Sequence, residues 1–532
     1  MYELLKHTGP KQLLTFLSGE GGMGKSLLIR LLVQYWRSQG LRVLVCASTA
    51  KAARLLGGHT VHSAFKLRST GGFVKAELDV AQHSRHWTWL YTRDIVIIDE
   101  ISMLTAGALH GVNEALNYIT SANASAATNS HFGGKSVLVV GDLFQLPAVE
   151  KFRFRDQIYF STLWPAFRFV ELVESCRQNA SEHRFAELLS RLRLGAEHLT
   201  EEDVAVLKKR VCGSRGHGST ATCTWDDRVR RRRRGRANMR PDGGNEDDDG
   251  NVKTTSCRHC AVAPDATIVA ALREKVNELN AAHEAAVTAT GMQVVHVDAV
   301  DRAPGGRELT DEGTRRAIDK RAGGQLRCLG VYIGMRALLT FNQDVESDNV
   351  NGSAGRIVGM EDNDQGDLKA ILFKPDSTPS SAPPLRITRR TARVFGRAFG
   401  SALRTQFPIL PSYAVTVHRV QGATLEGDVH VLLNSDFFAP GQAYTALSRA
   451  RRIGQLHLWG FDLDAIKADP EVAREYARLR RRPLAAAAIA RAPPYAKAPL
   501  PALGAMEIHF PPSFETCGVA ASGAACMPCE DE

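Results

Sequence analysis

Gly19-Glu-Gly-Gly-Met-Gly-Lys-Ser26 fits the pattern G-x-x-x-x-G-K-[ST], and residues of these types at this spacing hold a polyphosphate. Gly19, Gly21, Gly22 and Gly24 let consecutive backbone N–H groups curl around phosphate oxygens. Lys25 reaches the β and γ oxygens, and the Ser26 hydroxyl is a hard ligand suited to Mg²⁺. Further on, Asp94-Ile-Val-Ile-Ile-Asp-Glu100 delivers two acids at the end of an apolar run. Asp99 is then placed to hold Mg²⁺ through water, and Glu100 to orient or deprotonate an attacking water. Gln145, within Gly141-Asp-Leu-Phe-Gln-Leu-Pro147, offers a neutral amide that senses a γ-phosphate without competing for the metal. Arg177, in Leu172-Val-Glu-Ser-Cys-Arg-Gln178, is a cation for the charge that develops in phosphoryl transfer. The chemistry is nucleotide binding and hydrolysis. It does not name the task, because kinases, transporters and motors all use such a loop.

These groups need elements to hold them. Leu13–Leu17 reads as a buried strand and Leu27–Val33 as a helix, so the glycine loop lies between the two. Leu41–Ala47 is a second buried strand, followed by a helix at Ser48–Leu56 that Ser48 would cap. Gly57–Phe65 is a polar turn, and residues 66–93, with Trp87, Trp89 and Tyr91, form a small insertion. The Asp94–Asp99 and Ser136–Val140 runs are further strands, and in a parallel sheet their C-terminal ends face the ligand crevice. Ser181–Gly195 has the spacing of an amphipathic helix. A strand at Thr267–Ala271 and a helix at Leu272–Ala286 restart the α/β pattern. Short alternating strands at Ala337–Phe341, Gly355–Gly359 and Ala370–Phe373 suggest a small all-β module. In Tyr413–Leu425 a strand delivers Thr416 and His418 before Gln421-Gly422 turns into a helix. Gly441–Arg451 is a final helix with Arg449 and Arg451 near one end, and Gln455–Trp459 a last strand.

GEGGMGKS, the AxTAKAA stretch at Ala47–Ala53, GGHTVHSAF at Gly57–Phe65, DEISM at Asp99–Met103, GDLFQLPAV at Gly141–Val149 and ESCRQ at Glu174–Gln178 occur in that order. Together they resemble the successive motifs of superfamily 1 DNA helicases of the petite-integration-frequency (PIF) type, relatives of RecD. Tyr413–Leu425 and Gly441–Arg451 are similar to the family's fifth and sixth motifs, and Asp348–Gly355 to the loop entering its small barrel, so the likeness spans residues 12–465. The resemblance implies an α/β fold of two RecA-like P-loop NTPase domains with ATP between them, and a small SH3-like β-barrel inserted in the second. Its domains would fall at 1–170 and 171–475, with the barrel at 335–407, while composition alone marks 212–260 as a disordered insertion and 476–532 as an Ala/Pro-rich tail. It assigns Lys25 and Ser26 to phosphate and Mg²⁺, Asp99 to Mg²⁺, Glu100 as base and Gln145 as γ-phosphate sensor. Arg177 and Arg449 correspond to the two cations that meet the γ-phosphate, while Thr60, His62, Ser63, Thr416 and His418 lie in motifs facing single-stranded DNA. The implied activity is ATP-dependent 5′→3′ translocation on single-stranded DNA with duplex unwinding. The implied partners are single strands and duplex junctions. The alternatives are a DNA-stimulated ATPase that translocates without unwinding, and a module that only binds DNA.

Composition is that of a soluble, core-forming chain, the first residues lack a signal pattern and so suggest an intracellular one, and the resemblance implies a nucleus or another DNA-containing compartment. The chain of 532 residues is 44% hydrophobic and carries a net charge of +10. Arg228–Arg236 is nearly all Arg, but neighbouring acids leave 226–249 close to neutral, and the tail from Asp469 is also near neutral. The surplus positive charge therefore belongs to the folded body, where a basic groove can follow a phosphate backbone. Cys257-Arg-His-Cys260 has half-site spacing for zinc, with Cys212 and Cys223 as further ligands, and Cys517, Cys526 and Cys529 form a second group. Three departures from the family stand out, one being the tail at 483–532, which has no counterpart in it. Arg419-Val420 replaces a common Lys-Ser pair, and little sequence before Gly19 is available for the glutamine that reads adenine, Gln12 being the nearest. Weak discrimination between nucleoside triphosphates is expected.

Overall fold

The computed structural model describes residues 12–68, 72, 85–121, 130–148, 156–173, 182–212, 266–322, 324–341, 351–379, 381–396, 398–425 and 427–481. Arg177, Cys223, Cys257, Cys260, the Arg-rich run and the tail beyond 481 lie outside these residues.

The first half of the chain builds one parallel sheet. Its elements are β1 (Leu14–Gly19), α1 (Lys25–Ser38), β2 (Val43–Ala47), α2 (Ala50–Leu55), β3 (His59–Thr60), α3 (Val61–Phe65), α4 (Arg85–Tyr91), β4 (Ile95–Asp99), α5 (Ala106–Ser121), β5 (Ser136–Gly141) and β6 (Arg168–Leu172). The strands lie in the order β3-β2-β4-β5-β1-β6, all parallel. Both faces are covered, which is why these strands read as unbroken apolar runs rather than as alternation. Along β4, Val96 and Ile98 enter one core while Ile95 and Ile97 enter the other. On the second face α1 lays down Leu28, Ile29, Leu32 and Trp36, one helical stripe. Each such fully buried side chain contributes about 1.5–3 kcal/mol. The cap expected from Ser48 is supplied instead by Thr49, whose hydroxyl accepts the Ala52 N–H. Ser48 donates to the Glu100 carbonyl at 2.9 Å, which ties α2 to the end of β4.

The second half begins with α6 (His183–Arg193), α7 (Glu201–Lys209), β7 (Thr267–Ala270) and α8 (Arg273–Thr288). An antiparallel region follows: β8 (Val295–Asp298), β9 (Val300–Arg302), α9 (Glu312–Asp319), β10 (Cys328–Val331), β11 (Arg336–Leu339), β12 (Ala354–Asp362), β13 (Leu368–Pro375), β14 (Leu385–Thr388), β15 (Arg390–Gly396), β16 (Gly400–Gln406) and β17 (Ile409–Pro411). The chain then returns with β18 (Ala414–Thr416), α10 (Val417–Val420), β19 (Val429–Leu433), α11 (Gln442–Leu447), β20 (Leu456–Phe461) and α12 (Pro470–Arg481). The second parallel sheet has the order β18-β7-β19-β20. Since β7 and β18 are neighbours, everything antiparallel is an insertion between two adjacent strands.

Three expectations need correction. The antiparallel region starts at Val295, well before 335, because Val297, Leu329 and Val331 share one core with Ile357, Ile371 and Phe373. The strand before the fifth motif stops at Thr416. His418 lies on the short helix α10 and no helix follows Gln421-Gly422. Residues 476–481, assigned to the tail, are the second half of α12, which buries Val472, Tyr476 and Leu479 against the first sheet's core beside Phe16. Among the described residues no helix is long and apolar enough to cross a membrane.

Candidate nucleotide site and nucleic-acid face

Parallel pairing aligns the functional strand ends in one row. Thr60 is in register with Ala47, Ala47 with Asp99, and Ser18 with Gly141. Thr60 is therefore two strands, roughly 10 Å, from Asp99 on the same sheet edge. The glycine loop leaves β1 at that edge and enters α1, with Gly22 at φ 94° and Gly24 at φ 78°. Both values belong to the left-handed region that only glycine adopts at little cost. Lys25 folds back onto its own loop, donating to the carbonyls of Gly19 at 2.7 Å and Glu20 at 2.9 Å. Burial pushes its ammonium below the usual lysine range, against the pull of Asp142, Glu100 and Asp99. Ser26 is exposed at the N-terminus of α1.

Asp99 is buried, and its carboxyl is raised by burial and then by the adjacent Glu100 carboxylate. A serine hydroxyl at a helix start and a carboxylate form an all-oxygen donor set that suits Mg²⁺. Glu100 has φ 54° and ψ 48°, an uncommon conformation for a residue with a side chain. Backbone in such a region costs about 1–3 kcal/mol and is found where a side chain must be aimed. Glu100 is aimed toward the fifth-motif turn: a Cβ built on Gly422 would lie 3.2 Å from Glu100 Oε1.

Gln145 is buried on the loop after β5, and among the described residues its Oε1 has no hydrogen-bond partner. The same holds for Oε1 of Gln421, whose Nε2 donates to Ser102 Oγ at 3.2 Å. Two buried amide oxygens of this kind are acceptors able to hold water.

Helix α11 brings the second sheet against the first. Gly441, at φ 76°, packs so tightly that an added Cβ would meet the Phe144 carbonyl at 2.5 Å. Thr445 Oγ1 accepts the Leu146 N–H at 3.2 Å. Arg449, just past the helix, is buried and donates to the carbonyls of Thr445 and Ala423 and to Ser448 Oγ. Burial lowers its pKa, and Glu100 is the first charge working in the other direction. Thus Lys25, Asp99, Glu100 and Arg449 converge, Gln145 lies on the loop that packs against Gly441, and Arg177 is outside the described residues.

The residues expected to face DNA are divided between the two sheets. Thr60 caps α3, accepting the Ser63 N–H, and Ser63 is exposed. His62 and His418 are half-buried, and burial holds both imidazoles below their ordinary pKa, helped at His418 by Arg273. Thr416 ends β18. Gln12 is at the wrong end of β1 to read a base: its amide donates to the carbonyls of His131 and Lys135.

Sequence reasoning missed a polar group behind the loop, made by Asp142, Arg193, Tyr444 and Tyr476. Asp142 takes Arg193 Nη2 at 2.7 Å and Tyr444 Oη at 3.0 Å, while Tyr476 Oη is 2.6 Å from Ser18 Oγ. Their sequence contexts are apolar or charged and carry no sign that they meet. The zinc expectation is represented only by Cys212, buried among Ile268, Leu432 and Trp459. Asp428, His430 and His457 cluster at the opposite edge of the second sheet. Their imidazoles stack at 4.6 Å and 15°, so the in-plane lone pairs run side by side rather than toward one metal.

A glycine loop on a parallel sheet, two acids on the neighbouring strand end and an arginine carried by a second parallel sheet define a P-loop nucleotide-dependent protein with two α/β halves. A family model described as PIF1-like helicase matches residues 6–203. The chain is similar to ATP-dependent DNA helicase PIF1 of Danio rerio, 29% identical over 88% of this chain and 62% of that protein. It is also similar to ATP-dependent DNA helicase Pif1 of Bdellovibrio bacteriovorus, 28% identical over 87% of each. Its fold resembles the crystal structure of Pif1 helicase from Candida albicans, with TM-score 0.65, 22% identity and coverage of 90% of this chain and 97% of that one. Over residues 6–203 the chain matches the PIF1-like helicase family, and its fold is that of the Candida albicans Pif1 structure.

Proposed function

We propose that this chain is an ATP-dependent DNA helicase that moves 5′→3′ along single-stranded DNA and opens duplex junctions. The observation that carries this reading is Arg449 on the second sheet, buried against a site whose loop and acids belong to the first. Both relatives named above, matched over most of this chain, are ATP-dependent DNA helicases. In this reading Gly19, Gly21, Gly22, Gly24, Lys25 and Ser26 bind the triphosphate, and Ser26 and Asp99 hold Mg²⁺, which draws negative charge off the phosphates. Glu100 takes the proton of the attacking water, Gln145 orients that water, and Arg177 and Arg449 meet the charge on the departing phosphoryl group. Thr60, His62 and Ser63 grip the strand from one half, and Thr416 and His418 from the other. ATP draws the halves together and hydrolysis lets them part, so the strand is stepped. The halves correspond to two RecA-like domains, the first running through β6 and the second from α6 through β20, with α12 returning to the first, and the antiparallel insertion corresponds to an SH3-like barrel. The site of action is a DNA-containing compartment.

ATP hydrolysis by the wild type and Lys25→Ala, with and without single-stranded DNA, tests the assignment. DNA should stimulate the wild type, and the variant should lose turnover while binding DNA within about threefold of wild type, less than 1 kcal/mol. Equal loss of both activities in a folded variant would count against it.

A further inference from the structure

Tyr444 is buried on α11, and its Oη accepts the N–H of Gly21 at 2.8 Å and donates to Asp142 Oδ2 at 3.0 Å. The direction of these bonds follows from the partners. Arg193 donates to Asp142 through Nε at 3.1 Å and Nη2 at 2.7 Å, so the carboxylate is ionised and can only accept. The phenol proton must therefore point to Asp142, which leaves an oxygen lone pair for Gly21. Burial raises the Tyr444 phenol well above its ordinary pKa, Asp142 adding to the effect, so that proton is retained. Contact with the loop continues beyond the bond: a Cβ at Gly21 would lie 3.4 Å from Tyr444 Oη and 3.6 Å from Ser448. The next loop residue is tied as well, with Glu20 accepting from Ser190 Oγ and lying 3.6 Å from Arg193. Tyr444 therefore fastens the arch of the phosphate loop to α11, two residues past whose end lies Arg449.

We propose that Tyr444 is a positioning residue that couples the phosphate loop to Arg449, so that loop shape and arginine placement change together when the two halves move. The proposal rests on the reading that the chain hydrolyses ATP. A phenol bonded to a loop amide in the first half, on the short helix that runs into the arginine, transmits a displacement of either half to both groups. A side chain that served packing alone would not need the hydroxyl.

The test is Tyr444→Phe in the full-length protein, which keeps the ring and removes only the oxygen. DNA-stimulated ATPase should lose about tenfold in kcat, with KM for ATP and the Kd for single-stranded DNA each within about twofold of wild type. Deuterium exchange over residues 19–26, without nucleotide, should be slowed in the wild type and faster in the variant. A folded variant with wild-type kcat overturns the proposal, as does a wild-type loop that exchanges as fast as an exposed one. The exchange measurement on the wild type decides the matter if the variant fails to fold. Wild-type protein without ATPase activity would instead sink the functional reading, and the two failures are thereby separable.

Discussion

Asp142 has almost no exposure, yet it is surrounded by donors: Arg193 through two nitrogens, Tyr444 Oη and the Phe144 N–H. Burial pushes its carboxyl up, but the Arg193 guanidinium outweighs this and holds it below the usual carboxylate range. A depressed native pKa contributes stability above the unfolded value, near pH 4, and loses it as pH falls through the folded one. Arg193 also lies over the rings of Phe144 at 4.4 Å and Tyr476 at 5.1 Å. Arg193→Met keeps much of that packing and strands the charge, so a loss of about 3–5 kcal/mol is expected. With the cation gone burial dominates and the carboxyl rises, which reverses the slope. The variant should gain stability as pH falls from neutral toward about 5, whereas the wild type should gain none from this group. Urea unfolding of both proteins across that range measures it. A loss under about 1 kcal/mol would show that the pair is not buried as described. None of this was legible residue by residue. Asp142 is one letter in a glycine-led turn and Arg193 one of several arginines on α6, and only the fold brings them together.

Elements were legible where burial on both sides leaves a plain signal. β1, β4 and β5 are continuous apolar runs followed by a glycine loop, two acids and a Gly-Asp turn, so the sheet edge and its chemistry could be read together. The signal failed where an element is half-exposed. β8 alternates Val295 and Val297 with His296 and Asp298, a strand signal only four residues long that does not stand out from its surroundings. α12 spaces Val472, Tyr476 and Leu479 helically but dilutes them with arginines beside an Ala/Pro-rich stretch. Its docking depends on bonds from Tyr476 Oη to Ser18 and Leu143, which no local pattern announces. The connection between α7 and β7 is a different case. Its run 226–249 is nearly charge-neutral and has no periodic apolar residues, so its sequence carries no signal of a core or of a net attraction for phosphates. Deleting 226–249 should leave DNA-stimulated ATPase within about twofold of wild type, a change under 1 kcal/mol in barrier. Collapse of activity or folding would make that run a structural or DNA-binding element.

At the scale of the whole molecule, two parallel sheets meet through α11 and α12, and the candidate site is completed only where they meet. The first sheet supplies loop, acids and Gln145, and the second supplies Arg449 and Tyr444. In the proposed function such a division would make ATP a clamp between halves that each carry residues assigned to a DNA strand. A motor of this kind must convert hydrolysis into directed movement, and direction is what a plain ATPase lacks. Strand displacement from duplexes bearing a 5′ or a 3′ single-stranded tail, with ATP and Mg²⁺, tests that claim most directly. The account predicts release of the strand from the 5′-tailed duplex and little from the 3′-tailed one. Preference for the 3′ tail would contradict the proposed polarity, and DNA-stimulated hydrolysis with neither duplex opened would contradict the helicase assignment itself.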